Sequence, residues 1–524
     1  MQKTLVSPQN LWELLKKNIK TEWKVAFFTV LLVGLCVHFP AISKDIPNHD
    51  GLASMYFDQN MITSGRWFLM VACGISSYFT LPWVIGLLSL AFLGIAAAAL
   101  IEFLDLRDKL GVMLVSALLV VFPALASTYT YIFTADGYMM GLMLAMFSVM
   151  FVEKGRFGFI AGGICLAFSM GIYQSYLPFA ILLSMYGCIR IMLGTARDNS
   201  ALGNGIREKM LAMLRYLYMG MIGVGGYYII LQILLKIQGK ELDTYQGING
   251  MALSSGVPLS GMLANLYHDF IAFTGKGNVL YNNMLSFIAW IVVAAVFLVV
   301  LLQTAVKCGF VKKWYFYLIS LVVLIVLPII TNVILIISPS VTYHLLMRYQ
   351  WVLYPILFFA FVWKKTDGGT KTGAALQWLV LVAAGVLVLH FAVTDNIAYS
   401  NLEKKYEKTY AYCLRMIDRM EQTEGYYTGM PVAMIGVQNK ETLPETDITG
   451  DVTSGMIGMT GDYLIYTDNN YQQFMKNYLG VTMNLISDEE MEKIYYTDEY
   501  QALSSFPKAG SMKVVDGILY IKTE

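Results

Sequence analysis

Eleven predominantly apolar stretches of roughly 17 to 24 residues constrain this chain more than any other feature. A run of that length crosses a hydrocarbon core of about 30 Å as α-helix, which rises about 1.5 Å per residue. Transmembrane helices are expected near residues 25–41, 81–103, 110–126, 135–152, 157–172, 174–193, 216–236, 284–306, 315–338, 346–363 and 374–394, about 11 in all. With 57% hydrophobic and 14% charged residues, the composition excludes a soluble enzyme, a disordered scaffold and a secreted disulfide framework. An outer-membrane barrel is excluded as well, because its strands read as alternating segments of about ten residues.

A net charge of +1 hides a division between two solvents: residues 1–394 carry 26 Lys and Arg against 16 Asp and Glu, whereas residues 395–524 carry 11 against 20. Residues 1–24 read as a cytoplasmic interfacial helix, with five lysines and an apolar register of Leu11, Leu14, Leu15 and Ile19. The run at 25–41 lacks a small-residue cleavage site and precedes many others, so a retained span is expected rather than a removed signal peptide. With that helix inside, the cytoplasmic segments collect 20 of the 26 basic residues of the membrane domain, as the positive-inside rule requires. An odd number of spans then places residues 395–524 outside, together with two long outer loops, 42–80 and 237–283. The second loop carries an apolar helical face of Leu259, Met262, Leu263, Leu266, Phe270 and Phe273. In the first, residues 67–79 form an apolar piece too short to span. The last domain is expected to be mixed α/β, with a helix over 402–422, a strand over 432–437 and a hairpin over 513–522 turning at Asp516-Gly517. The fold class is therefore an all-α polytopic membrane protein, a transmembrane catalytic domain over 25–394, with a C-terminal extracytoplasmic mixed α/β domain.

Charged groups near the outer surface are few, and burying them is expensive, which makes them informative. Asp45, Asp50 and Asp58 lie in the first outer loop, and Asp136 stands in the Tyr131–Tyr138 stretch at the mouth of a span. Solvated loop positions account for Asp45 and Asp58, and a helix N-cap is a sufficient account of Asp50 or Asp136. Tyrosines and carboxylates gathered at one surface also suit a sugar, since aromatic faces pack on its ring and carboxylates accept its hydroxyl protons. Tyr131, Tyr138, Tyr173, Gln174 and Tyr349, with His49, form that stratum. The cations Lys44, Arg66 and Arg348, with His344, lie at the same depth, where they either snorkel to lipid headgroups or bind a phosphate. Carboxylates and cations converging there suit a reaction on a lipid-linked substrate. No Walker motif, nucleotide-binding glycine loop or zinc-ligand helix motif is present, and no cysteine pair has zinc-ligand spacing.

Several stretches resemble the Gtr-type glucosyltransferase family (glucosyl transferase type II) of the GT-C superfamily. They are Asn48-His49-Asp50-Gly51, Ser64-Gly65-Arg66-Trp67, Tyr131 to Tyr138, Gly171 to Phe179, Met347-Arg348-Tyr349 and Asp395 to Tyr399, in the family's order. The resemblance implies an inverting bacterial enzyme that moves glucose or a similar hexose from undecaprenyl phosphate to a surface polysaccharide or lipid-linked glycan, at the outer face of the cytoplasmic membrane. It also implies a separate synthase for the donor and a small flippase as partners; no nucleic-acid partner is expected. The family places an acidic pair in the first outer loop; here Asp50 matches its second member and His49 replaces the first, with Asp45 a possible substitute.

On this reading Asp50 is the general base, Asp136 steadies positive charge in the transition state, and Arg348, then Arg66, holds the departing phosphate. No metal is required by the chemistry, though a divalent ion is compatible with it. Two other readings share the lipid-linked sugar: a transporter or flippase, and a polysaccharide polymerase or ligase. A transporter needs polar groups along a path at mid-membrane depth, whereas the centres of these spans are nearly free of charge.

Overall fold

A computed structural model of the chain describes residues 7–53, 55–193, 206–244, 258–276, 279–436 and 467–523. Each apolar stretch falls on helix, and the amphipathic N-terminal segment forms a helix over Pro8–Asn18. Among the described residues seven helices are long and apolar enough to cross a membrane alone: Thr21–Ser43, Pro82–Leu104, Ile132–Val152, Gln174–Met192, Arg207–Gln238, Met284–Lys307 and Lys371–Glu421. Seven such helices make this a membrane-embedded protein, but single helices do not reach the expected eleven. The stretch at 110–126 is a pair, Lys109–Val120 and Pro123–Tyr129, bent by 45°. Pro123 opens the second member, where its missing amide leaves no helical bond unmade. Gly158–Ile172 and Leu353–Lys365 are 15 and 13 residues long, and the stretch at 315–338 breaks after Thr331.

Close approach of backbones holds the bundle where small residues allow it. A Cβ on Gly162 would lie 2.3 Å from the Ser148 carbonyl oxygen, so this position lets Gly158–Ile172 sit directly against Ile132–Val152. Much of the interior is aliphatic and aromatic, with Leu90, Val120, Phe122, Leu142, Phe359 and Phe391 fully buried.

Charges from several connections meet at one end. Glu102, its side chain 2% exposed, accepts Lys20 Nζ at 2.6 Å, Trp23 Nε1 at 3.1 Å and Lys154 Nζ at 3.2 Å. Beside it Arg190, 4% exposed, pairs with Glu153, which also accepts the Tyr216 hydroxyl at 2.9 Å. Asp105 binds Arg107 at 2.7 Å and Lys364 at 3.2 Å. Removing Glu153 takes the carboxylate from a buried guanidinium and leaves it neutral partners such as the Phe103 carbonyl, so Glu153→Ala is expected to destabilise the fold by about 2 kcal/mol. Thermal unfolding in detergent checks this, and an unchanged melting temperature would contradict it.

The last span does not stop at residue 394. It continues as one helix of 51 residues, Lys371–Glu421, about 75 Å long, so the span and the helix expected after it are a single rod into the C-terminal region. That region carries a four-stranded sheet of β1 (Pro431–Ile435), β2 (Asn484–Leu485), β3 (Met512–Val515) and β4 (Ile518–Lys522), in the order β2-β1-β4-β3. β1 runs parallel to β2 and β4, and β3 pairs antiparallel with β4. The β3–β4 hairpin turns at Asp516 (φ 48°) and Gly517 (φ 79°), the positive angles a two-residue turn of this hand requires. The mixed α/β character expected of this region is therefore present. Residues 245–257 and 277–278 of the 237–283 loop lie outside the described residues; its amphipathic part is a helix, Leu259–Gly275, that buries Met262 and Leu266.

Candidate active site

At the end of the bundle opposite the charge cluster, the 42–80 segment folds over the helix ends as short pieces: the helices His49–Ala53 and Leu69–Cys73 and the 3-10 turns Ile62–Ser64 and Gly74–Ser76. Beneath it lies a cavity of about 830 Å³. The 23 residues of Thr21–Ser43, about 35 Å of helix, separate it from Lys20.

One wall is polar. His49 and Asp50 come from the first short helix, Arg66 from the turn after it, Tyr131, Thr134 and Tyr138 from the next stretch, and Tyr173 and Gln174 from another. Asp50 and Arg66 are the only formally charged side chains lining the cavity among the described residues. Much of the remaining lining is apolar, with Val224 from the helix Ile206–Gln238, and Ile334, Ile337 and Val341, joined by Tyr227, Tyr228, Ser338, Thr342 and His344. Val224 and Tyr228 are exposed as well as lining the cavity, so the cavity is open to the surroundings at their side chains.

The local structure frees Asp50 for chemistry. Asn48 caps its helix, the side-chain oxygen accepting the Gly51 amide at 2.8 Å, so the Asp50 carboxylate is not spent as a cap. It is 57% exposed, with its Oδ1 3.6 Å from His49 Nε2. The His49 ring meets Tyr131 edge-on at 6.4 Å.

Arg66 is held by aromatic groups. Its Nη1 donates to the Tyr138 hydroxyl at 3.0 Å, and its guanidinium lies 4.9 Å from the centre of the Tyr173 ring, which stacks on Tyr138 at 4.7 Å. The turn that presents it depends on Gly65, at φ 74°. Gln174 donates to the Ser64 carbonyl and to the Tyr227 hydroxyl, both at 3.0 Å, and Tyr227 donates to the Gly65 carbonyl at 3.1 Å. A Cβ on Gly65 would sit 2.5 Å from Gln174 Nε2 and 2.6 Å from the Tyr227 hydroxyl. Gly65→Ala therefore combines left-handed strain with a clash, about 1–2 kcal/mol, and is expected to lower turnover about tenfold. Steady-state kinetics on folded protein tests it; wild-type turnover would show that the turn does not set the position of Arg66.

Other residues singled out in the sequence lie apart from the cavity. Arg348 gives both Nη atoms to Asp269 at 2.7 Å and lies over the rings of Tyr343 and Phe273, at 3.9 and 4.6 Å. Its neighbours His344 and Met347 line the cavity, and it does not. Tyr349 is buried, donating to the Leu119 carbonyl at 2.7 Å. Asp136 is fully buried behind the polar wall, its Oδ1 accepting the Gly137 amide at 2.8 Å. Lys44 pairs with Glu403, and Asp45 accepts the Tyr478 hydroxyl at 3.1 Å. Burial pushes the Asp45 carboxyl above the usual carboxylate range, and the hydroxyl partly offsets that. From the last quoted stretch, Asp395 is buried and Tyr399 binds His38 Nδ1 at 2.7 Å, inside the bundle.

Sequence reasoning missed Tyr227 and Tyr228. The glycine-rich run Gly223 to Gly226 ahead of two tyrosines, inside an apolar span, was the signal for them. No group of three or more His, Cys, Asp or Glu that could hold a metal occurs among the described residues. The family model described as "Glucosyl transferase GtrII" matches residues 39–364, more than half of the chain. No curated protein and no solved structure matches it.

Proposed function

The chain belongs to the glucosyl transferase GtrII family, and from that premise we propose that it transfers a hexose, glucose by family, from undecaprenyl phosphate to a cell-surface polysaccharide. The transfer takes place at the outer face of the bacterial cytoplasmic membrane, on a GT-C type scaffold with the N-terminus inside and the C-terminal domain outside. The observation that carries this reading is the mixed lining of one cavity: one carboxylate, one guanidinium and several tyrosines beside apolar side chains, of which Val224 is also exposed. A lipid-linked sugar has the same division, with a polyprenyl chain that belongs in the bilayer and a phosphate and sugar that do not.

In the proposed reaction the acceptor hydroxyl lies against Asp50, which takes its proton as the oxygen attacks the anomeric carbon. The new glycosidic C–O bond forms on the side opposite the phosphate, the bond from the anomeric carbon to the phosphate oxygen breaks, and the configuration inverts. Polyprenyl phosphate departs with the bonding pair, and Arg66, with His344 of the same cavity lining, stabilises its charge. Arg66 takes precedence over Arg348 because the latter's guanidinium is occupied by Asp269. Tyr131 supplies a face for the sugar, Tyr138 and Tyr173, stacked on each other beside Arg66, complete the lining next to it, and buried Asp136 contributes negative potential.

The donor class is tested by giving membranes that contain the protein radiolabelled polyprenyl-phosphate glucose or, in parallel, radiolabelled nucleotide glucose after the cell's own lipid donor synthase is removed. Label is expected in glycan only from the lipid donor. Equal labelling from the nucleotide sugar would contradict the proposal.

A further inference from the structure

The family match ends at residue 364, yet the segment that carries Asp50 is gripped by residues more than 420 positions further on. His49–Ala53 has five residues, far below the dozen or so that an isolated helix needs in water. Its position must come from what touches it. The ring of Tyr131 meets its first residue, His49. The C-terminal domain makes two hydrogen bonds to the segment: Asn477 Nδ2 donates to the Leu52 carbonyl at 3.3 Å, and the Tyr478 hydroxyl donates to Asp45 at 3.1 Å. These contacts bracket Asp50, two residues from Leu52 and five from Asp45.

The gripping residues are themselves fixed. They lie on a wide helical turn, Met475–Leu479, that continues the helix Asp468–Phe474. Tyr471, Phe474 and Met475 are completely buried, and the Phe474 ring stacks on Tyr478 at 5.1 Å. Tyr406, on the long helix rising from the membrane, contacts Phe474 and Tyr478 at 5.8 and 5.7 Å, and Lys44 pairs with Glu403 one turn earlier. The 51-residue helix thus runs without a break from the bundle to the turn that holds the short helix.

We propose that Asn477 and Tyr478 are positioning residues for Asp50, and that the C-terminal domain acts as a brace that sets the geometry of the base. The proposal rests on Asp50 being that base. A misplacement of about 1 Å in a reacting group lowers rate by up to about 10², with little effect on ground-state binding. A loosened brace therefore reduces kcat and spares KM.

The test compares wild type with Asn477→Ala, Tyr478→Phe and the double variant, purified whole and reconstituted in liposomes. Hydrogen–deuterium exchange over residues 48–53 is measured alongside kcat and donor KM. The double variant is expected to exchange faster in that segment, with kcat down about tenfold and KM within twofold, while exchange in Pro82–Leu104 and the melting temperature stay as in wild type. Tyr478→Phe keeps the ring packing and removes only the hydroxyl, so it guards against loss of fold. Wild-type exchange and kcat in the double variant would overturn the brace. Should wild type itself transfer no sugar, the function reading fails, and the exchange measurement still decides whether the C-terminal domain holds the helix.

Discussion

Asp50→Asn is expected to lower kcat for sugar transfer by about 10² to 10⁴ while donor KM stays within twofold. The amide keeps the size of the carboxylate and cannot take a proton from the attacking hydroxyl. Because Asn48 supplies the helix cap, the substitution removes no structural bond at the helix start. The side chain is 57% exposed, so its replacement leaves no buried group unpaired, and thermal stability should stay unchanged. This separates the chemical role from a fold defect. Wild-type turnover in folded Asp50→Asn would assign the base elsewhere.

Arg66→Ala should be nearly as damaging, with kcat/KM for the lipid donor down by about 10² to 10³. Both parameters are expected to respond, because in the proposed reaction the guanidinium contacts the donor phosphate when it binds and again as charge grows on the leaving group. Arg66→Lys keeps the charge but loses the planar fork and its place over Tyr173, so it should recover only part of the loss. Full activity in Arg66→Lys would show that charge alone suffices, and full activity in Arg66→Ala would remove Arg66 from the phosphate site. Arg348→Lys is different in kind: it breaks the paired bonds to Asp269 and reports on packing of the Leu259–Gly275 helix.

Apolar length made the helices legible, and the positions of the breaks were harder to see. Pro123 interrupts a run that hydropathy alone treats as continuous, since a single proline lowers an apolar average only slightly. The opposite error arose at Asp395 to Asn401, where polar residues suggested a domain junction. The backbone stays helical through them because nothing there breaks a helix, and Asp395, Tyr399 and Asn401 face the protein interior. In the site, Asp50 and Arg66 stood out as rare charges in an apolar chain and do line one cavity. Arg348 stood out by the same criterion and is instead neutralised by Asp269, 79 residues away in sequence, a pairing no local pattern reveals. Likewise the contacts of Asn477 and Tyr478 span 425 and 433 residues.

In the proposed function this membrane protein joins a lipid-linked hexose to a glycan. This claim is tested most directly with purified wild type and Asp50→Asn in liposomes carrying radiolabelled undecaprenyl-phosphate glucose, with extracted surface glycan supplied to the lumen and outside. Label should appear in glycan with wild type and drop by at least about 10² with Asp50→Asn. Movement of intact lipid-linked sugar between leaflets, with no label in glycan, would contradict the claim and identify a flippase.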